Sequence, residues 1–146
     1  MSKSNTFEND LLLLIFNNTD IADIGDAGGL QNSAAAGSLY IALHTSDPGE
    51  AGTATTNETA YTDYARVAVA RSGAGWTVSG NTVTNFAQIT FPTCGITGAT
   101  ITHGSITTAA SGASKILYSG ALSSSLVVAQ NITPFFAATS VSVTED

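Results

Sequence analysis

Hydrophobic positions change their period once along the chain. In "NTFENDLLLLIFNN", Phe7, Leu11, Leu14 and Ile15 recur at the three-and-four spacing of a helical stripe. Asn5 followed by Glu8 reads as a capping box, and Asn17 and Asn18 as a stop, so a short helix is predicted over residues 6–16. One apolar stripe on so short a helix must dock on something larger. The next stretch, "NTDIADIGDAGGLQNSAAAG", is rich in small residues and reads as a long ordered loop with one helical turn over residues 21–24.

From Leu39 onward the period is two. Leu39, Ile41 and Leu43 face one way and Tyr40, Ala42 and His44 the other, and "YARVAVA" over residues 64–70 alternates likewise. Further strands are predicted over residues 75–79, 81–85, 87–91, 99–106, 115–122, 125–129 and 140–144, with Gly- and Ser-bearing turns between them. The clearest hairpin is "VSGN", where Gly80 and Asn81 tolerate positive φ. About eight or nine short strands imply a mainly all-β fold, a β-sandwich or jelly-roll-like domain. Residues 38–146 would form the sandwich and residues 1–37 a helix and extended loop arm, all within one domain that no repeat or linker divides.

Composition narrows the setting. At 146 residues the chain buries roughly 70% of the surface it exposes when unfolded, so it needs no staple. Cys94 is the single cysteine and cannot form an intrachain disulfide. The run "LLLLIF" is too short for a signal core or a membrane span, so the mature protein is expected to begin near Met1 and stay soluble. Four scattered basic residues, Lys3, Arg66, Arg71 and Lys115, stand against 11 acidic ones, and a net charge of -7 argues against a nucleic-acid partner. Only 10% of residues are charged, well below the usual quarter. Such a weakly charged skin suits a protein packed against neighbours in a large assembly, or a small extracellular-type β-domain.

Several residue groups could carry chemistry. His44, Ser46 and Asp47 bring three reactive types together, but Asp47-Pro48-Gly49 has turn chemistry and no nucleophile elbow surrounds the serine. Cys94 and His103 could form a thiolate pair only if the fold brought them together; a lone cysteine near a strand end is more often a filler. Asp20, Asp23 and Asp26 have the wrong spacing for an EF-hand and suit turns and caps. Histidine and cysteine are too few and scattered for zinc. Sequons at Asn17, Asn57 and Asn131 arise readily in a threonine-rich chain. "GDAGG" lacks the lysine of a phosphate loop. Asp47, Glu50, Glu58 and Asp63 are near enough in sequence to raise a polysaccharide-cleaving carboxylate pair, although nothing positions two of them. Of the adjacent Phe135 and Phe136, one should face inward and the other outward as a possible interface anchor.

Read together, "AGSLYIALHTSDPGEAGT", "NETAYTDYARVAVARSGAGWTVSGNTVTN", "ITFPT", "ATITHGSI" and "ILYSGAL" resemble a family of small tailed-bacteriophage structural proteins. Its members are usually labelled tail fibre proteins, and related β-sandwich proteins serve as capsid cement or decoration proteins. The resemblance extends over nearly the whole chain, including the N-terminal helix and "IGDAGGL". It implies a virion component made in the bacterial host cytoplasm, with no catalytic, cofactor-binding or metal residues. The expected role is a capsid cement protein on the capsid exterior, with the major capsid protein as partner and a homotrimer as the assembly. No membrane and no small-molecule substrate are expected. The alternative is a tail or tail-fibre component.

Overall fold

A computed structural model describes all of residues 1–146. Helix α1 (Asn5–Asn17) precedes nine strands: β1 (Ser38–His44), β2 (Val67–Ala70), β3 (Trp76–Ser79), β4 (Thr82–Asn85), β5 (Ile89–Thr90), β6 (Ala99–Thr107), β7 (Ile116–Val128), β8 (Phe135–Phe136) and β9 (Ser142–Thr144). The fold is therefore mainly β, with antiparallel pairing in β1–β6, β6–β7, β3–β4 and β4–β9. The chain forms two compact units. Unit 1 holds Met1–Ser38, Val69–Gln88 and Phe136–Asp146, and unit 2 holds Leu39–Ala68 and Ile89–Phe135.

In unit 1, the helix begins one residue earlier than the sequence suggests. Ser4 is the N-cap, and its hydroxyl accepts from the Phe7 N–H at 3.3 Å. No capping box forms, because the third helical position is then Phe7 rather than an acid. Asn18 ends the helix in the left-handed conformation (φ 55°), with its N–H donating to the Leu13 carbonyl. The buried face is Glu8, Leu12 and Phe16, whereas Phe7, Leu11, Leu14 and Ile15 are half-buried. The run from Leu11 to Phe16 is apolar all round, so its period could not choose the face. The docking surface chooses it: α1 packs on β3 and β4, and the Phe16 ring meets Trp76 edge-on with centroids 4.8 Å apart.

Arg71 secures the other end of this helix. Its Nε and Nη2 donate to the carbonyls of Ile15 and Leu14, each at 2.8 Å, and its Nη1 donates to the Ala36 carbonyl at 3.1 Å. A cation from a distant segment thus meets carbonyls that the helix leaves unsatisfied, where the macrodipole favours positive charge. No helical turn forms over residues 21–24. Asp23 (φ 61°) and Gly25 (φ 83°) are left-handed, and a two-way backbone pairing of Ile21 with Leu30 closes the loop instead.

The unit 1 sheet has the order β3-β4-β9. Ser79 faces Thr82 across a two-residue turn whose Gly80 has φ 59°, whereas Asn81 stays at negative φ, as a type II′ hairpin requires. Asn85 is fully buried, with its side-chain nitrogen and oxygen both hydrogen-bonded. It donates to the carbonyls of Ala87 and Ala137, both at 2.8 Å, and accepts from the Val141 N–H at 2.8 Å, which fixes the approach to β9.

A second sheet has the order β2-β1-β6-β7 and a small third pairs β5 with β8; β6, β7 and all of β1 but Ser38 belong to unit 2. Because β1 lies inside the sheet, Ala42 and His44 are as buried as Ile41 and Leu43, and both faces of the strand are covered. The predicted strand over residues 64–70 is shortened to β2, because Tyr64 and Arg66 are engaged elsewhere. The two strands predicted over residues 115–122 and 125–129 are one strand, β7. Their predicted gap survives as a break in register: Ile101 faces Leu126 but His103 faces Ala121, so residues 122–125 bulge. β8 is an element that the sequence pattern did not predict; at two residues it is too short to show a period.

Candidate functional site

The densest polar constellation of unit 2 centres on Arg66. Asn57 takes a left-handed conformation (φ 53°), and Glu58 pairs with His44 as an isolated bridge beside β1. This aims the Glu58 carboxylate at the arginine. Arg66 Nε donates to Glu58 Oε1 at 2.7 Å and Nη2 to Oε2 at 2.8 Å, a bidentate fork. The remaining N–H groups donate to the Ala109 carbonyl at 3.0 Å, the Ser114 hydroxyl at 3.1 Å and the Gly112 carbonyl at 2.8 Å. All five guanidinium donors are therefore used. Gly112, at φ 76°, lets the β6–β7 loop present these carbonyls.

Tyr64 extends the network. Its hydroxyl donates to Glu58 Oε1 at 3.0 Å and accepts from the Leu43 N–H at 3.0 Å. Burial pushes the phenol well above its ordinary range, and the carboxylate acts in the same direction. The hydrogen bonds with Glu58 likewise hold Arg66 firmly protonated. The arginine side chain is only 2% exposed. Its arrangement can tie the loop after β1 to the loop between β6 and β7. Both carboxylate oxygens of Glu58 accept from the guanidinium.

The sequence grouped His44 with Ser46 and Asp47, and the structure separates them. Ser46 and Asp47 are exposed, and Asp47 Oδ1 accepts from the Gly49 N–H at 2.8 Å in the turn that "DPG" encodes. His44 instead pairs with Ser105, a residue that sequence reasoning missed because nothing marks it before β1 and β6 are known to be neighbours. Nδ1 donates to the Thr56 carbonyl at 2.9 Å, which makes Nε2 the acceptor of the Ser105 hydroxyl at 2.7 Å. A Ser–His pair of this length has the geometry of an activated nucleophile. His44 and Ser105 are 0% and 3% exposed, so the pair is sealed from solvent, and its orienting partner is a carbonyl rather than a carboxylate.

Burial lowers the His44 pKa from its ordinary 6.5, outweighing the Thr56 hydrogen bond. A group whose folded pKa is depressed in this way binds its proton more readily when unfolded. Stability should therefore fall as pH drops below about 6.5, with a slope of at most about 1.4 kcal/mol per pH unit from this residue. Urea titrations at pH 7.5, 6.5 and 5.5 should show the loss, and His44→Gln should flatten it while lowering stability at pH 7.5. An unchanged pH slope in the variant would refute the assignment.

The remaining candidates disperse. Cys94 is buried and its thiol donates to the Thr97 carbonyl at 3.3 Å, whereas His103 Nδ1 bonds the Thr102 hydroxyl at 2.9 Å; no hydrogen bond joins the two. Asp20 Oδ1 accepts from the Asn32 N–H at 2.6 Å, and Asp26 Oδ1 from the N–H groups of Gly28 and Gly29. Both serve loop closure. No three His, Cys, Asp or Glu side chains converge as a metal site would require. Asn57, one of the sequon asparagines, donates its amide to the Asp47 carbonyl at 2.9 Å. Tyr61 donates to the Pro92 carbonyl, and burial moves its phenol up to about 12.

Unit 2 also exposes four large apolar residues. Ile96, Val127, Ile132 and Phe135 are 77%, 65%, 43% and 54% exposed. Ile132 accepts from the Cys94 N–H, and Asn131 donates to the Cys94 carbonyl, so the loops of Ile96 and Ile132 are joined by backbone bonds. Phe135 faces outward and Phe136 is half-buried, as adjacency predicts.

Compared with known proteins, the chain matches the family model described as Podophage GP4 fiber I protein gp80 over residues 2–144. No curated protein matches. The helix, the loop arm and both β units all lie inside that match, and the chain belongs to the Podophage GP4 fiber I protein gp80 family of phage fibre-type structural proteins.

Proposed function

We propose that this protein is a non-enzymatic component of a phage tail fibre, a structural piece that holds its place by surface contact rather than chemistry. The family match over residues 2–144 carries this reading. Two features of the fold support it. Its strongest polar constellation, around Arg66, is spent on fixing loops, and its one Ser–His pair is sealed. Its exposed apolar residues in unit 2 are the kind of surface that a partner covers.

The sequence favoured a homotrimeric capsid cement protein seated on the major capsid protein at the capsid exterior. A family described by a fibre protein favours the alternative of a tail or tail-fibre component, and we adopt it. The two differ in copy number. Densitometry of purified virions should place this chain at a handful to a few dozen copies per particle. Stoichiometry close to that of the major capsid protein would overturn the fibre reading in favour of cement. Particles lacking the chain should retain their DNA on heating yet adsorb poorly; early DNA leakage with normal adsorption would point the other way.

A further inference from the structure

Four of the eight large apolar residues that the chain exposes lie on one ribbon of unit 2, formed by residues 93–100 and 126–135. Backbone bonds join Cys94 to Asn131 and Ile132, and the hydroxyls of Thr93 and Thr133 bond at 2.7 Å. Further along, Thr100 faces Val127 in the β6–β7 ladder. Cys94, Val128 and Pro134 are buried on the inner side, so Ile96, Val127, Ile132 and Phe135 stand on the outer one. The Ile96 loop is fastened by Thr62, whose carbonyl accepts from the Gly95 N–H and whose N–H donates to the Thr97 carbonyl. Its side chain is thus offered to solvent from a backbone already tied in place.

The charge pattern selects what covers this face. From Ser72 to Thr144 the chain has no Asp, Glu or Arg and a single lysine, Lys115, although the whole carries a net charge of -7. The ribbon itself is uncharged, and the exposed Asp63, whose carboxylate lies against Gly95, stands at its margin. A basic partner would find no carboxylate on the ribbon to pair with, and an anionic one would be repelled by the rest of the molecule. A second copy meets neither obstacle here, because uncharged surface meets uncharged surface while the acidic residues lie on other segments. We infer that this outer face is a self-association surface, ribbon against ribbon, between two copies of the chain. The other exposed large apolar residues, Met1, Ile24, Leu30 and Phe86, belong to unit 1. Unit 2 therefore offers no second apolar cluster for a head-to-tail contact, and the pairing closes on a two-fold axis. The area is of the right order. The chain exposes 7595 Å², roughly 600 Å² above the monomer expectation for 14.8 kDa, against roughly 800 Å² that each partner buries in a stable interface.

This contact is distinct from the trimer that the family resemblance implied, and it does not depend on where in the virion the protein sits. Sedimentation equilibrium of the full chain should give a monomer–dimer equilibrium. Raising sodium chloride should strengthen it, because salt screens the repulsion between two molecules of like charge. Ile96→Asp and Val127→Asp each place unpaired carboxylates in the contact and should raise the dissociation constant about tenfold or more, with unaltered far-ultraviolet circular dichroism. Phe86→Asp, at a residue 59% exposed in unit 1, should leave it unchanged. In the unsubstituted chain, hydrogen exchange over residues 95–98 and 129–133 should speed up on dilution. A chain that stays monomeric at high concentration, a trimer, a dimer weakened by salt, or a dimer broken by Phe86→Asp but not by Ile96→Asp would each overturn the inference. So would a ribbon protected only in the assembled virion, which would assign the face to a different protein.

Discussion

Arg66→Met should lower the stability of the folded chain by about 3–5 kcal/mol, the range for removing one partner of a buried ion pair. The midpoint of thermal unfolding should fall by roughly 10 °C for a domain of this size. The loss is large because the substitution strands several groups at once. Glu58 loses its bidentate partner in a site where its side chain is only 16% exposed. The carbonyls of Ala109 and Gly112 and the Ser114 hydroxyl lose their donors. Arg66→Lys should recover little, since a single ammonium cannot supply a planar fork of five donors. The double variant Arg66→Met with Glu58→Gln should be less damaged than Arg66→Met alone, because it removes the uncompensated charge. Differential scanning calorimetry of the three variants checks this. Equal stability of the lysine and wild-type proteins would show that the fork geometry does not matter.

Trp76→Ala should cost about 3–5 kcal/mol, as expected for truncating a large buried aromatic. Trp76 is 1% exposed and seats Phe16 of α1, so its removal opens a cavity between the helix and the hairpin of β3 and β4. The effect should be concentrated in unit 1. Hydrogen exchange should rise along α1 and the β3–β4 hairpin well before it rises in β1 and β6. Trp76→Phe keeps an aromatic edge against Phe16 and should cost far less. Uniform acceleration of exchange over both units would contradict this division of the core.

How much of this was legible in the sequence depends on whether the signal was local. The period-two run of β1, the "SGN" hairpin and the "DPG" turn are encoded by residues next to one another, and all three form. The face of α1 was misread because six consecutive apolar residues offer no polar side to orient them, so Trp76, some sixty positions away, decides. The N-cap slipped by one because Ser4 and Asn5 are both good caps. Its outcome follows from the Ser4 hydroxyl reaching the Phe7 N–H. Register breaks such as the one in β7 leave a trace, a Ser-rich dip in hydrophobicity, which reads equally as a turn.

Candidate chemistry was the least legible part. His44 drew attention through its neighbours Ser46 and Asp47, yet its partner is Ser105, which the β1–β6 pairing brings to it. Arg66 and Glu58 looked like two scattered charges; only a loop fixed by Asn57 and another opened by Gly112 make them one constellation. Buried ionic pairs of this kind leave no spacing rule, because their geometry is set by loops. The family, by contrast, was legible early, since it rests on the order of many short segments rather than on any one contact.

Gold-labelled antibody against this chain, imaged on intact virions by electron microscopy, tests the central claim most directly. The fibre reading predicts label on the tail and its appendages, at few sites per particle, with bare capsid faces. Label distributed over the capsid shell would contradict it.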